Sequence, residues 1–348
     1  MERVEDVRAF LENAGWFTDV APSAVEFLAA GEYNENWRVR AHGRDEVVRI
    51  NHGSQLGLSN QISYEYSVLQ AVASSGVTPL PLRLEASPSS LSGGALLMSY
   101  IEGRHLDYST DLEGAAKAFA AVHSVQVPES TEYYTAPSEH SGPVYATTLL
   151  RQDNPVAAIA AESLAMLTKD KDHPLTKERA RLLSYHAEIV RLSEDMAALF
   201  AEEGNVIANT EVNSSNFLVQ DSTAGPKVHI VDWEKAVITP RYQDLGHFLT
   251  PTTTLWKTDT VLNETDRQRF LIAYRDALLQ VSPRPQGVPS LDQLTTLTNV
   301  LIRTVLLRGL SWCFMAWKEY ATGNRAMVHE HTRVTIQRYM ADLDWFLR

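Results

Sequence analysis

Residues 206–219 read Val-Ile-Ala-Asn-Thr-Glu-Val-Asn-Ser-Ser-Asn-Phe-Leu-Val, and after a polar turn residues 227–234 read Lys-Val-His-Ile-Val-Asp-Trp-Glu. Two short apolar runs, Phe217 to Val219 and Val228 to Val231, flank Asp221, Ser222, Gly225 and Pro226. Apolar runs separated by turn residues predict a β-hairpin. Pairing symmetric about Ala224 sets Asn216 at one open end opposite Asp232 at the other. One amide oxygen and one carboxylate would then converge, with Glu211 on the loop entering the hairpin.

Hard oxygen ligands from two strand ends, with positions left for water and phosphate, suit Mg²⁺ held on a nucleotide. Glu211 would face the hydroxyl that accepts the phosphoryl group. The spacing Glu211, Asn216, Asp232 resembles the catalytic loop and metal-binding Asp of the aminoglycoside phosphotransferase and choline kinase family, distant relatives of the protein kinases. That family usually writes the loop His-Gly-Asp-x-x-x-x-Asn. This chain has Asn209, Thr210 and Glu211 in the first three places. Asp232-Trp233-Glu234 resembles the family's metal motif, and Asp244-Leu245-Gly246 its following helix start.

The resemblance extends through most of the chain in motif order. Gly31 to Val39, with Asn34 and Asn36, resembles the phosphate-covering hairpin, where a glycine permits close backbone approach and small polar side chains meet phosphate oxygens. The next strand carries in the family a basic residue that contacts phosphates and pairs with a Glu on the following helix. The first hundred residues contain no lysine, so Val47-Val48-Arg49-Ile50 offers Arg49, whose planar fork of donors suits phosphate. Its partner is expected at Glu65, in the helical stretch 61–73 with Ile62, Tyr66 and Leu69 at helical spacing. Ser99 to Ile101 resembles the hinge on whose backbone adenine sits.

These resemblances imply an α+β, two-lobed, protein-kinase-like fold. A small antiparallel-sheet lobe (1–102, hinge at 99–103) binds nucleotide. A larger, mainly helical lobe (103–348) carries the catalytic loop and metal motif (205–246) and the acceptor site. They imply ATP and Mg²⁺ as cofactors, with the γ-phosphoryl group moved to a hydroxyl of a small molecule such as an aminoglycoside or other antibiotic. The alternatives are a metabolite kinase of the choline or homoserine type, or a nucleotide-binding protein without turnover.

Composition bounds the reading. The 348 residues are 44% hydrophobic, enough for a sizeable core. The net charge of −12 argues against nucleic acid. It is compatible with a cationic substrate and equally with an acidic surface kept for solubility. A single cysteine, Cys313, excludes an internal disulfide or thiolate cluster. The acidic start has no signal-peptide core, and the most apolar stretch, Leu301 to Trp317, is interrupted by Arg303 and Arg308, so a cytoplasmic protein without a membrane partner is expected. Oligomeric state is left open.

Several local expectations follow. Segments 2–14 and 22–29 read as helices, 77–84 and 95–100 as strands, and 126–145 as a Pro-, Ser- and Tyr-rich loop or lid. Helices are expected near 112–125, 154–167, 176–203, 264–280, 290–321 and 323–347. His123 reads as structural. Asp244 is expected to satisfy free amides at the N-terminus of its own helix. The threonines of 250–259 offer either packing or substrate contacts.

Overall fold

The computed structural model describes residues 2–348 except 32, 55, 88–90, 92, 129–147, 224, 282–286 and 323–329. A first helix, α1 (Glu2–Asn13), precedes β1 (Val25–Ala30), β2 (Asn34–Ala41), β3 (Arg44–Asn51), α2 (Gln61–Val72), β4 (Pro81–Glu85) and β5 (Ala95–Ser99). The five strands form one antiparallel sheet in the order β1-β2-β3-β5-β4.

Segment 22–29, expected as a helix, is instead mostly strand β1. Val25 pairs with Val39 and Phe27 with Trp37, and the Phe27 and Trp37 rings meet edge-on at 5.1 Å. Pairing with β2 outweighs the modest helix preference of Glu, Leu and Ala. The strand expected at 77–84 begins only at Pro81, because the Val77 carbonyl accepts a hydrogen bond from the Ile230 amide at 2.8 Å, outside this sheet.

Strand alternation gives the sheet two different faces. Trp37, Val39, Val48, Ile50, Ala95 and Leu97 pack with Val7, Phe10 and Leu11 of α1 into a small core. Asn34, Asn36, Arg49 and Asn51 stand on the other face, since Asn36 is in register with Arg49 and Asn34 with Asn51. Here the polar residues are turned toward the rest of the chain.

The larger lobe follows with β6 (Arg104–His105), α3 (Leu112–His123), α4 (Pro155–Thr168), α5 (Thr176–Ala201), β7 (Asn205–Ala208), β8 (Phe217–Gln220), β9 (Lys227–Ile230) and β10 (Val237–Pro240). Then come α6 (Tyr242–Leu249), α7 (Pro251–Lys257), α8 (Glu264–Gln280), α9 (Leu291–Thr322), α10 (Glu330–Ala341) and α11 (Leu343–Phe346). β6 joins the β8–β9 hairpin, and β7 pairs with β10. These short strands frame the loops that carry the candidate site.

At Gly103 a Cβ would lie 2.9 Å from the Val219 carbonyl oxygen, so glycine lets the chain pass close against β8. Gly246 has the same role deeper down: a Cβ there would lie 2.4 Å from Leu301 Cβ, so glycine lets α6 lie against α9. α9 is long and apolar enough to cross a membrane by length and composition, but 67% of its most apolar window is buried inside the fold. Leu294, Leu297, Leu301, Leu307 and Leu310 belong to the main core. Most of the segment expected as a loop or lid, 129–145, lies outside the described residues, as does 323–329 of the last expected helix.

Candidate active site

The β8–β9 hairpin forms, but its register differs by one residue from the expected symmetry. Phe217 pairs with Ile230 and Val219 with Val228, so Asn216 lies beside Val231, whose amide it accepts at 2.9 Å. A slip of one would ordinarily turn Asp232 to the wrong face. Asp232 instead has φ 65°, a left-handed conformation that Asp tolerates better than most residues. That residue ends the strand alternation.

Its carboxylate meets Arg49, whose Nη2 donates to Asp232 Oδ1 at 2.5 Å. Arg49 Nε lies 2.9 Å from Glu65 Oε2, and Nη2 lies 3.8 Å from Glu234 Oε2. The structure therefore brings Arg49 and Glu65 together as the sequence predicts. Glu65 Oε1 also accepts the Trp233 amide at 3.3 Å. Glu234 Oε2 accepts from Asn34 Nδ2 at 2.6 Å, and Asn34 Oδ1 from Asn51 Nδ2 at 2.8 Å. Gln61 Nε2 donates to the Glu234 carbonyl at 2.7 Å, and Tyr64 donates to the Ala236 carbonyl at 2.6 Å. Thus α2 is fastened to the Asp-Trp-Glu segment.

Three carboxylates face one guanidinium. Burial pushes Glu65 up to about 8 despite Arg49, and burial raises Glu234 as well. Burial opposes the charge on Arg49, but Glu65, Asp232 and Glu234 outweigh it and raise its pKa. The arrangement is short of positive charge. Only Asp232 is open, its side chain 30% exposed against 2% for Glu65 and 7% for Glu234. Asn216 donates through Nδ2 to the Glu211 carbonyl at 2.6 Å, which leaves its Oδ1 as the ligand end. Among the described residues no three His, Cys, Asp or Glu side chains could hold a metal together. An open carboxylate, an amide oxygen and surplus negative charge fit Mg²⁺ that takes its remaining ligands from water and phosphate.

The loop after β7 is held by an arrangement the sequence reading missed. Asp244 does not cap its own helix; its Oδ2 accepts the Asn209 amide at 2.9 Å and its Oδ1 the Thr210 amide at 2.7 Å. The reason is position: α6 begins beside the β7 exit, so the carboxylate meets the amides of a neighbouring segment before those of its own first turn. His123, fully buried, lies 3.2 Å from Asp244 through Nε2 and 2.9 Å from Tyr274 through Nδ1, a structural place. Burial lowers its pKa.

Asn209 and Thr210 take over the loop's support. Asn209 Nδ2 donates to the Asp232 carbonyl at 2.7 Å, and its Oδ1 accepts the Glu211 amide at 3.1 Å. Thr210 has φ 66°, unusual for a β-branched residue, where the family usually writes glycine. It is held there from several sides: its Oγ1 donates to the Lys235 carbonyl at 2.8 Å and its own carbonyl accepts from Arg308 Nη2 at 3.2 Å.

Glu211 stands on the wall of a cavity of about 800 Å³. Its Oε1 pairs with Lys235 Nζ at 2.9 Å, and its side chain is 31% exposed. Thr252, Thr253 and Trp256 also line the cavity, whereas the Thr250 and Thr254 hydroxyls donate to the Gly246 and Thr260 carbonyls. The threonine-rich segment therefore serves both packing and the cavity wall. Lys235 and Arg308 escaped the sequence reading. Lys235 carried a signal, since it directly follows Asp-Trp-Glu.

The remaining expected nucleotide contacts are placed less uniformly. Asn36 is in register with Arg49, and its buried Oδ1 has no hydrogen-bond partner among the described residues. Asn34 is engaged at both ends within the protein. Among the described residues no atom lies within 4 Å of a Cβ built on Gly31, so the space beside it is open. At the hinge, the Ser99 amide donates to the Leu80 carbonyl and the Tyr100 amide to the Asp45 carbonyl. The Ile101 amide has no such partner among the described residues.

A sequence profile of the phosphotransferase enzyme family (APH) matches residues 24–286. The chain belongs to that family. The family's solved structures share its fold. An ethanolamine kinase from Plasmodium vivax superposes with a TM-score of 0.59 at 12% identity, covering 92% of this chain and 83% of its own. A choline kinase from Cryptosporidium parvum gives 0.56 at 13% identity, with 99% and 96% covered. A spectinomycin phosphotransferase, APH(9)-Ia, solved with ADP and spectinomycin, gives 0.55 at 12% identity, with 96% and 93% covered. No functionally curated protein matches the chain. At such identities the superpositions show the kinase-like fold.

Proposed function

We propose that the chain is an ATP- and Mg²⁺-dependent phosphotransferase whose acceptor is a hydroxyl of a small molecule. One observation carries the reading: Asn209 hydrogen-bonds the Asp232 carbonyl with one end of its amide and the Glu211 amide with the other, locking a metal-ligand candidate to a base candidate. A nucleotide-binding protein without turnover has no need of that lock, nor of a base on a cavity wall.

Asp232 and Asn216 would hold Mg²⁺, which neutralises phosphate charge in transfers of this kind. Arg49, braced by Glu65, would turn donors toward the phosphates, with Asn36 on the same sheet face. The backbone near Ile101 would receive adenine. Glu211 orients the acceptor hydroxyl and takes its proton as the oxygen bonds to the γ-phosphorus and the β–γ bridging oxygen leaves with ADP. Lys235 beside Glu211 Oε1 holds that carboxylate in place, leaving Oε2 for the hydroxyl. Use of ATP suits a cytoplasmic location.

Thermal melts with and without Mg²⁺ and ATP, then ADP release over a panel of aminoglycosides, choline-type alcohols and hydroxy acids, test the reading. Stabilisation by nucleotide and turnover of at least one alcohol are expected. Neither nucleotide protection nor any turnover would sink it.

A further inference from the structure

The charges around the 800 Å³ cavity do not all cancel. Glu211 pairs with Lys235 at 2.9 Å, and Glu319 with Lys169 at 3.3 Å. Two charged lining residues, Arg308 and Glu162, have no ion-pair partner among the described residues. They differ in place. Arg308 is half-buried on α9 and tied to the loop backbone, donating through Nη2 to the carbonyl of Thr210, the residue before Glu211, and to His247 Nδ1 at 3.1 Å. His247 must accept there through a bare nitrogen, because a guanidinium only donates. It therefore gives Arg308 no negative charge. Glu162 is exposed on α4.

A half-buried guanidinium whose named partners are one carbonyl and one neutral imidazole keeps donors for an anionic oxygen, and Arg suits a carboxylate through its planar fork. Trp256, Trp312 and Tyr339 also line the cavity, with Trp256 edge-on to Trp312 at 5.6 Å and to Tyr339 at 6.1 Å. From this we infer that Arg308 anchors a carboxylate of the acceptor, so that the substrate is a hydroxy acid whose hydroxyl faces Glu211. Glu162 favours acids that also carry an amine. The inference rests on the phosphotransferase reading above. It goes beyond the net charge of the chain, which is compatible with a cationic substrate and equally with an acidic surface kept for solubility.

The test uses matched acceptors: hydroxy acids and hydroxy amino acids, each beside its own carboxamide, with choline and an aminoglycoside as cationic controls. ADP release is followed for the full-length chain, and the same acids are titrated calorimetrically into the complex with ADP and Mg²⁺. A free acid is expected to exceed its carboxamide at least about 100-fold in kcat/KM, in line with the cost of leaving a buried polar group unpaired. Arg308→Met should bring that ratio toward one, and Arg308→Lys should keep part of it. The ratio separates anchoring from loop support, because a merely displaced loop slows acid and carboxamide alike. Nucleotide protection in the melts shows that each variant is folded.

Carboxamides as good as acids, an unchanged ratio in Arg308→Met, or acids that neither bind nor react would overturn the assignment. Turnover of choline or the aminoglycoside alone would overturn it while leaving phosphotransfer intact. Loss of nucleotide protection and of all turnover would instead sink the phosphotransferase reading beneath it.

Discussion

The two sides of the cleft are built on different principles. On the Arg49 side, Arg49, Glu65 and Glu234 are buried, and Asn34 and Gln61 tie the Asp-Trp-Glu segment to the sheet and α2. On the Glu211 side, Glu211 is half-open and backed by a strained Thr210, facing a large cavity whose charges are only partly paired. The first arrangement is closely hydrogen-bonded and sets three carboxylates against one guanidinium. The second keeps room and unspent donors for a ligand the protein does not itself supply. Substitutions on the Arg49 side should accordingly damage stability and chemistry together, and those on the Glu211 side mainly chemistry.

The hardest test of that contrast is Asp232→Asn. It removes the one exposed carboxylate of the Arg49 group, and turnover should fall by on the order of 10³ or more as several kcal/mol of charge stabilisation is lost. ADP release and the Mg²⁺ dependence of nucleotide affinity measure it; a variant with wild-type rates would show that the metal is held elsewhere.

Arg49→Ala should also unfold the protein more readily. Removing the cation leaves buried carboxylates uncompensated, at a cost of about 3–5 kcal/mol. The sign with pH follows from Glu65, raised by burial to about 8 from 4.5. A carboxyl raised in the folded state loses stability as pH climbs from the unfolded value to the folded one. Without Arg49 that carboxyl would be raised further, so the gap between wild-type and variant melting temperatures should be nearly constant between pH 5 and 7 and widen above about pH 8. A gap independent of pH would mean that the carboxylates are not the reason Arg49 is needed.

Glu211→Gln should slow single-turnover transfer by on the order of 10² or more while nucleotide affinity and melting temperature hardly change. Glu211→Asp should be impaired too, although it restores the family's usual residue. Free Asp and Glu side chains are nearly alike in acidity, but Lys235 meets the carboxylate at the end of the longer side chain. Near-normal transfer by the Gln variant would remove Glu211 as the base.

The smallest effect belongs to Thr210. Its left-handed backbone costs about 1–3 kcal/mol, which Thr210→Gly would release. The same change loses the Oγ1 bond to Lys235, worth about 1 kcal/mol, and adds backbone freedom to the unfolded chain. The glycine variant should melt within a few degrees of wild type, whereas Thr210→Val keeps the strain without the bond and should melt lower. Equal melting of the two variants would argue against strain at this residue.

What the sequence hid follows a pattern. Segment 22–29 was misread because Ala, Leu and Glu favour a helix locally, while its pairing with β2 depends on residues beyond the segment itself. The hairpin was legible, but its register was not, since the left-handed turn at Asp232 restores the carboxylate to the cleft after a slip of one residue. Asp244 was legible as a helix-start residue and illegible as the anchor of Asn209 and Thr210.

By itself the sequence determined the order of the elements, the family, and the chemical types near the cleft: Glu211, Asn216 and Asp232 at their spacing, and Arg49 in the apolar run Val47-Val48-Arg49-Ile50 of a stretch without lysine. These are properties of short stretches, where side-chain periodicity and turn residues act locally. Tertiary structure alone decided which groups meet. Arg49 reaches Asp232 across 183 residues and Arg308 reaches Thr210 across 98, and burial decides which carboxylate stays open and which guanidinium keeps donors to spare. Such contacts are set by how helices and sheet pack, and packing is a property of the whole chain that no local pattern encodes.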